Sequence, residues 1–201
     1  MATYQNSRYN IALPSGSGGN LVHIKTLTAS SSATLSFVDG SSDVVLDNTY
    51  RTYVFKFINM HPATNDVEFQ FNFSIDSGSN YNVTKTTSAF ESYHKEDGTA
   101  QDVAYLTGSD LAQSTSNMKL TRRTGNNNDE SASGYLYLFN PSSTTFVKHF
   151  ISRVHSYHQS DLAYTMFVAG YGNTTSAIDA VNFVMSSGNI DAGTIKLYGI
   201  A

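Results

Sequence analysis

From Val67 to Ile75 apolar and polar residues alternate without a miss: Val67, Phe69, Phe71, Phe73 and Ile75 are separated by Glu68, Gln70, Asn72 and Ser74. Successive side chains of an extended backbone point to opposite sides, so the pattern reads as a strand with one apolar and one polar face. The same period recurs along most of the chain, and no long 3.6-residue stripe competes with it. The fold class is therefore all-β. Further strands are predicted over 21–27, 34–38, 51–60, 134–140, 145–157, 163–171, 177–185 and 193–199, punctuated by Asp39-Gly40, His61-Pro62 and the turn at 76–80.

In the stretch 51–60, Tyr53, Phe55 and Phe57 share one face and Val54, Ile58 and Met60 the other, which predicts a central strand covered on both sides. The segment 84–128 is less regular. It scatters short apolar clusters among turn formers, and a single helical turn is expected at 109–113 behind the capping residue Ser109. Without amphipathic helices to support parallel crossovers, the strands should pair antiparallel. The expected architecture is a two-sheet, jelly-roll-like sandwich, preferred over a closed barrel.

A chain of 201 residues suits one such domain, here 21–201, preceded by an arm at 1–20. The arm bears Tyr4, Tyr9, Ile11 and Leu13 as isolated anchors, then Pro14 and a Gly/Ser run that makes a linker. It is either a frayed terminus or a segment that orders by docking its anchors on a neighbouring subunit.

Charged residues make up 14% of the chain, against roughly 25% in a typical soluble domain, while Ser, Thr and Asn together supply about a third. A net charge of −4 provides no footprint for nucleic acid. The one basic pair, Arg122-Arg123, reads as a solvated loop or a partner contact. With no Cys, the fold must hold by burial and strand pairing. The N-terminal residues lack the apolar core of a signal peptide, and no stretch is apolar enough to span a membrane, so folding in the cytoplasm is the expectation. On that reading the sequons at Asn72, Asn82 and Asn173 are matters of composition.

Signatures of catalysis are missing: there is no nucleophile elbow, phosphate-cradling glycine loop or zinc-helix pattern. His149, His155 and His158 crowd one region, but His155 and His158 should face opposite sides of a strand, and His149 lies about 20 Å from His155 along it. No metal site is expected. The acidic run 126–130 offers oxygen ligands for calcium without EF-hand spacing and reads as a solvated loop. His94, Glu96 and Asp97 form a polar turn. Thirteen Tyr and no Trp suit flat amphipathic contacts, as at sugar sites and protein interfaces. The candidate surface contact is Tyr157 with its neighbours His155 and His158; the alternative for Tyr157 is simple packing along a sheet.

The strand segments also resemble a known group. The run 29–37, the strand and turn Tyr53-Val54-Phe55-Lys56-Phe57-Ile58-Asn59-Met60-His61-Pro62-Ala63-Thr64, the hairpin 67–81 and the closing segment 185–200 are similar to small structural proteins of tailed bacteriophages, those of marine bacteria and cyanobacteria among them. The resemblance implies a non-enzymatic virion surface protein, a fibre, knob or capsid-decoration subunit. Such a part has no catalytic residues and no cofactor, and is made in the bacterial cytoplasm. Its implied partners are itself, a trimer being favoured, other capsid or tail proteins, and a host surface glycan. A carbohydrate-binding module or adhesin is the alternative reading, and a glycan-acting hydrolase the third.

Overall fold

The computed structural model describes residues 21–201. Twelve strands follow one another: β1 (Leu21–Thr28), β2 (Leu35–Val38), β3 (Thr52–Pro62), β4 (Phe69–Ser74), β5 (Lys85–Lys95), β6 (Gln101–Tyr105), β7 (Met118–Lys119), β8 (Ala132–Phe139), β9 (Lys148–His158), β10 (Leu162–Gly172), β11 (Ala180–Met185) and β12 (Ile190–Ile200). They form two antiparallel sheets. One has the order β1-β12-β3-β8-β9-β10-β5-β6 and the other β2-β11-β4-β7.

Leaving aside β5, β6, β9 and β10, the remaining eight strands wrap as a jelly roll. The four-strand set β1-β12-β3-β8 faces β2-β11-β4-β7, and each consecutive pair of strands is split between the two sheets until the chain turns back on itself. The other four strands are two insertions. β5 and β6 arise between β4 and β7, and β9 and β10 between β8 and β11. Both insertions extend the first sheet beyond β8.

Phenylalanines from the two sheets interlock to form the core. Phe57 meets Phe69 at 5.1 Å between ring centroids, Phe55 meets Phe183 at 5.3 Å, and Phe71 meets Phe150 at 5.1 Å. Such tilted contacts add about 0.5–1.5 kcal/mol per pair to the burial of the rings.

Several sequence expectations change in three dimensions. The alternating run becomes the shorter β4, because Val67 leaves the ladder to bridge Thr124 and Ile75 is exposed. Its polar face is not solvated. Asn72 and Ser74 are buried, since Asn72 donates to the Thr115 carbonyl and to Asn117 Oδ1 from the segment lying over it. β3 is internal to its sheet, but its second face is only partly covered: Val54 is buried and Ile58 is exposed. Met60 joins Phe57 on the core side because the register with β8 shifts between them, at Asn59 with φ 50°. That bulge breaks the period-2 count. No helix forms at 109–113; the amides of Ser109 and Asp110 both bond the Leu106 carbonyl in a turn, and the chain then pairs back to β5 through Lys85 and Ser114. The arm at 1–20, with Tyr4, Tyr9, Ile11 and Leu13, lies outside the described residues.

Candidate functional site

β9 shows how the sequence positions side chains near the inserted strands. Its eleven residues alternate strictly, with 148, 150, 152, 154, 156 and 158 buried and the intervening ones exposed or half-exposed. His155 and Tyr157 therefore stand on the outer face of the eight-stranded sheet. His158 does not join them: it is 5% exposed and faces inward, which corrects the three-residue surface contact. His155 Nδ1 lies 3.1 Å from Thr165 Oγ1 on the adjacent strand. Tyr157 donates to Glu96 Oε1 at 2.9 Å, and this bond to a carboxylate pushes the phenol up to about 12. The polar turn after β5 is thus tied to the end of β9. An open trough of about 440 Å³ lies alongside, between Ser92, His94, Val103, His155 and Thr165.

On the inner side, His158 enters a polar cluster that the sequence did not reveal. Tyr164 donates to Glu91 Oε2, and Arg122 Nη1 lies 3.3 Å from the same oxygen. Burial holds the Tyr164 phenol well above its ordinary range, followed by its bond to Glu91. Burial likewise lowers His158, helped by the nearby charges of Arg123 and Arg122. Because the Ser160 amide donates to His158 Nδ1 at 3.1 Å, that nitrogen carries no proton. Next to the cluster opens a cleft of about 640 Å³ whose rim includes Asp66, Glu68, Lys119 and Arg123. Its charges are matched internally: Lys119 meets Glu68 at 3.3 Å, and Arg123 meets Asp66 through bonds of 2.8 and 3.2 Å. These ion pairs fasten the 106–124 segment to the two sheets, and they account for the basic pair Arg122-Arg123. The acidic run is also engaged with itself. Glu130 is buried and accepts the Asn127 amide at 2.5 Å. Among the described residues no three His, Asp or Glu side chains gather closely enough to hold a metal ion.

The outer face is different in kind. Phe90, Val103, Tyr105 and Ile151 are exposed there at 45%, 73%, 55% and 50%. Phe90 stacks flat on Phe167 at 4.6 Å, the Arg153 guanidinium lies 5.2 Å over the other side of Phe167, and Tyr137 bridges Tyr135 and Phe139. Sequence reasoning stopped at His155 and Tyr157. The same parity along β9 also marks His149, Ile151 and Arg153 as outward, but which residues of β5, β8 and β10 stand beside them is decided by strand order. No protein-family model matches the chain, and no curated protein or solved structure is significantly similar to it.

Proposed function

We propose that this protein is a non-enzymatic structural component of a phage virion surface, a fibre, knob or capsid-decoration subunit, working as a homo-oligomer with a trimer favoured. The observation that most supports this reading is the broad outer face of the extended sheet, where large apolar side chains stand exposed on several neighbouring strands instead of lining a closed pocket. Contiguous apolar surface of that kind suits a contact made over an area. The jelly-roll wrap agrees with it, since this architecture serves in viral capsids as well as in lectins, although fold alone does not assign function. Mass spectrometry of purified phage particles tests the proposal: the chain should appear among the virion proteins in stoichiometric amount. Its absence from particles made by cells that express it would overturn the reading.

A second reading, a carbohydrate-binding module or adhesin, is favoured by Arg153 and the tyrosines on that same face. Glycan retention by the isolated protein separates it from a purely architectural role. Turnover of a glycan would move the assignment to a hydrolase, with the Glu91, Tyr164 and Arg122 cluster as the place to look.

A further inference from the structure

Acidic and basic side chains are not mixed evenly over this molecule. Asp and Glu number sixteen against twelve Lys and Arg, yet among the described residues no carboxylate stands at an outward position in the regularly paired part of the eight-stranded sheet. Register leads outward from Phe90 through Phe167, Arg153, Tyr135 and Lys56 to Lys196. That row crosses six strands and measures about 24 Å at ordinary strand spacing. The acids of these strands and their turns lie elsewhere. Glu91 is buried on the inner face. Asp102 alternates to the side opposite Val103 and accepts its amide at 2.8 Å. Asp191 sits at the bulged start of β12 beside His61, and Glu96 stands at the rim.

The cations of the row also lack carboxylate partners. Lys95, Lys119, Arg122 and Arg123 each meet an Asp or Glu, whereas among the described residues Arg153, Lys56 and Lys196 meet none. Arg153 is held over Phe167, and the Lys56 ammonium lies 5.2 Å over the Tyr198 ring. Aromatic support of this kind orients a cation without neutralising it. Lys56 and Lys196 are direct cross-strand partners, an arrangement that like charges destabilise until an anion lies between them.

We infer that this face binds an acidic polysaccharide, a hydroxyl-rich chain bearing carboxylate or sulfate groups, laid across the strands along the row from Phe90 to Lys196. The Arg153 fork takes one acid group in bidentate fashion, Lys56 and Lys196 share another, and the Tyr135 hydroxyl between them suits the sugar hydroxyls. Nucleic acid fits less well. Bases stack on free ring faces, and Phe167 has Phe90 on one side and Arg153 on the other. A protein of net charge −4 also repels a polymer charged at every nucleotide more strongly than a sparsely charged glycan. The inference rests on the virion reading with the assembly contact confined to the apolar end of the face, around Val103 and Tyr105 on the edge strand β6, so that the row from Arg153 to Lys196 stays open.

The test is retention of the full chain on heparin and polygalacturonate, with neutral dextran and single-stranded DNA as comparisons, at low and at moderate salt. Expected is binding to both acidic glycans that weakens with salt, and none to dextran. Arg153→Gln and Lys56→Gln should each weaken it by about tenfold, the loss of one charge-assisted contact. Lys25→Gln should leave it unchanged, because Lys25 stands opposite the core residue Leu197 and so faces the other way. Unfolding temperatures of all three variants check that the sheet is intact. No retention at low salt, tighter binding to DNA, or equal losses from all three substitutions would overturn the inference. If the chain is found in particles yet retains no glycan, only this inference fails. Glycan retention by a protein missing from particles overturns the virion reading alone.

Discussion

Phe71 sits at the centre of the aromatic core, fully buried, with Phe73 and Phe150 at 5.0 and 5.1 Å. Phe71→Ala should cost about 3–5 kcal/mol by opening a cavity that rigid neighbouring rings cannot fill. Gln70→Ala, half-buried at the next position, should change stability by no more than about 0.5 kcal/mol. Denaturant unfolding of the two variants checks the difference; equal small effects would contradict the packing. Lys85 presents a different residue-scale problem. It is fully buried, its ammonium donates to Asn72 Oδ1 at 2.5 Å and to the Val83 carbonyl at 2.7 Å, and burial lowers it to about 7. The unfolded chain then binds the extra proton between that value and about 10.5, so this residue's contribution to stability rises with pH across the window and is least favourable below it. Lys85→Met should remove that slope. Comparing wild-type and variant unfolding free energies at pH 6 and pH 9 checks it, and parallel pH profiles would show that Lys85 does not titrate in the fold.

At the scale of elements, the inserted strands depend on close approach to the jelly roll. Gly134 of β8 packs so tightly on β9 that an added Cβ would come within 2.3 Å of the Arg153 carbonyl oxygen and 2.7 Å of Val154 Cα. Gly134→Ala must therefore push the two strands apart. Its cost should reach or exceed the roughly 1–3 kcal/mol of ordinary overpacking, because backbone and not a flexible side chain must move. A fall in the denaturant midpoint checks this, and an unchanged midpoint would mean the sheet yields easily there. Of the three strands that sequence reading missed, β5, β6 and β7, the first shows why they were hidden. Its fully buried positions are Lys85, Thr87, Ala89 and Glu91, and only Tyr93, partly buried at the far end, adds a large ring to that face, so the strand shows no run of inward apolar residues. Hydrophobic alternation cannot register a face satisfied by Asn72, Arg122, Tyr164 and the backbone of a covering loop.

For the whole molecule, the exposed apolar residues on one sheet face suit burial in an assembly, and closed symmetric homo-oligomers are the usual outcome. Light scattering of the full chain at micromolar concentration should give a multiple of the 21.9 kDa monomer, three being favoured. A monomer mass that persists on concentration would remove the oligomer from the proposal. Deleting residues 1–20 should leave the unfolding temperature nearly unchanged while incorporation into particles falls, because the interlocked phenylalanines of both sheets come from β2 onward. A large drop in unfolding temperature would instead make the arm part of the folded core.

Period-2 alternation, turn residues and the lack of a helical stripe determined by themselves that this chain is an antiparallel β protein. They marked nine of the twelve strands among the described residues to within a few residues, because burial of every second side chain is a local constraint written in neighbouring letters. Tertiary structure alone decided the rest. The Met60 bulge against β8 and the burial of Asn72 beneath residues 115–117 each depend on a distant segment, whereas the inward position of His158 follows from the alternation of β9. The row from Phe90 to Lys196 draws on β5, β10, β9, β8, β3 and β12, whose side-by-side order follows from the wrapping of the chain and from no local pattern. Arg153 could be assigned to an outward position from β9 alone; that it stands among aromatic rings and lysines, with no ion-pair partner among the described residues, is a property of the assembled sheet.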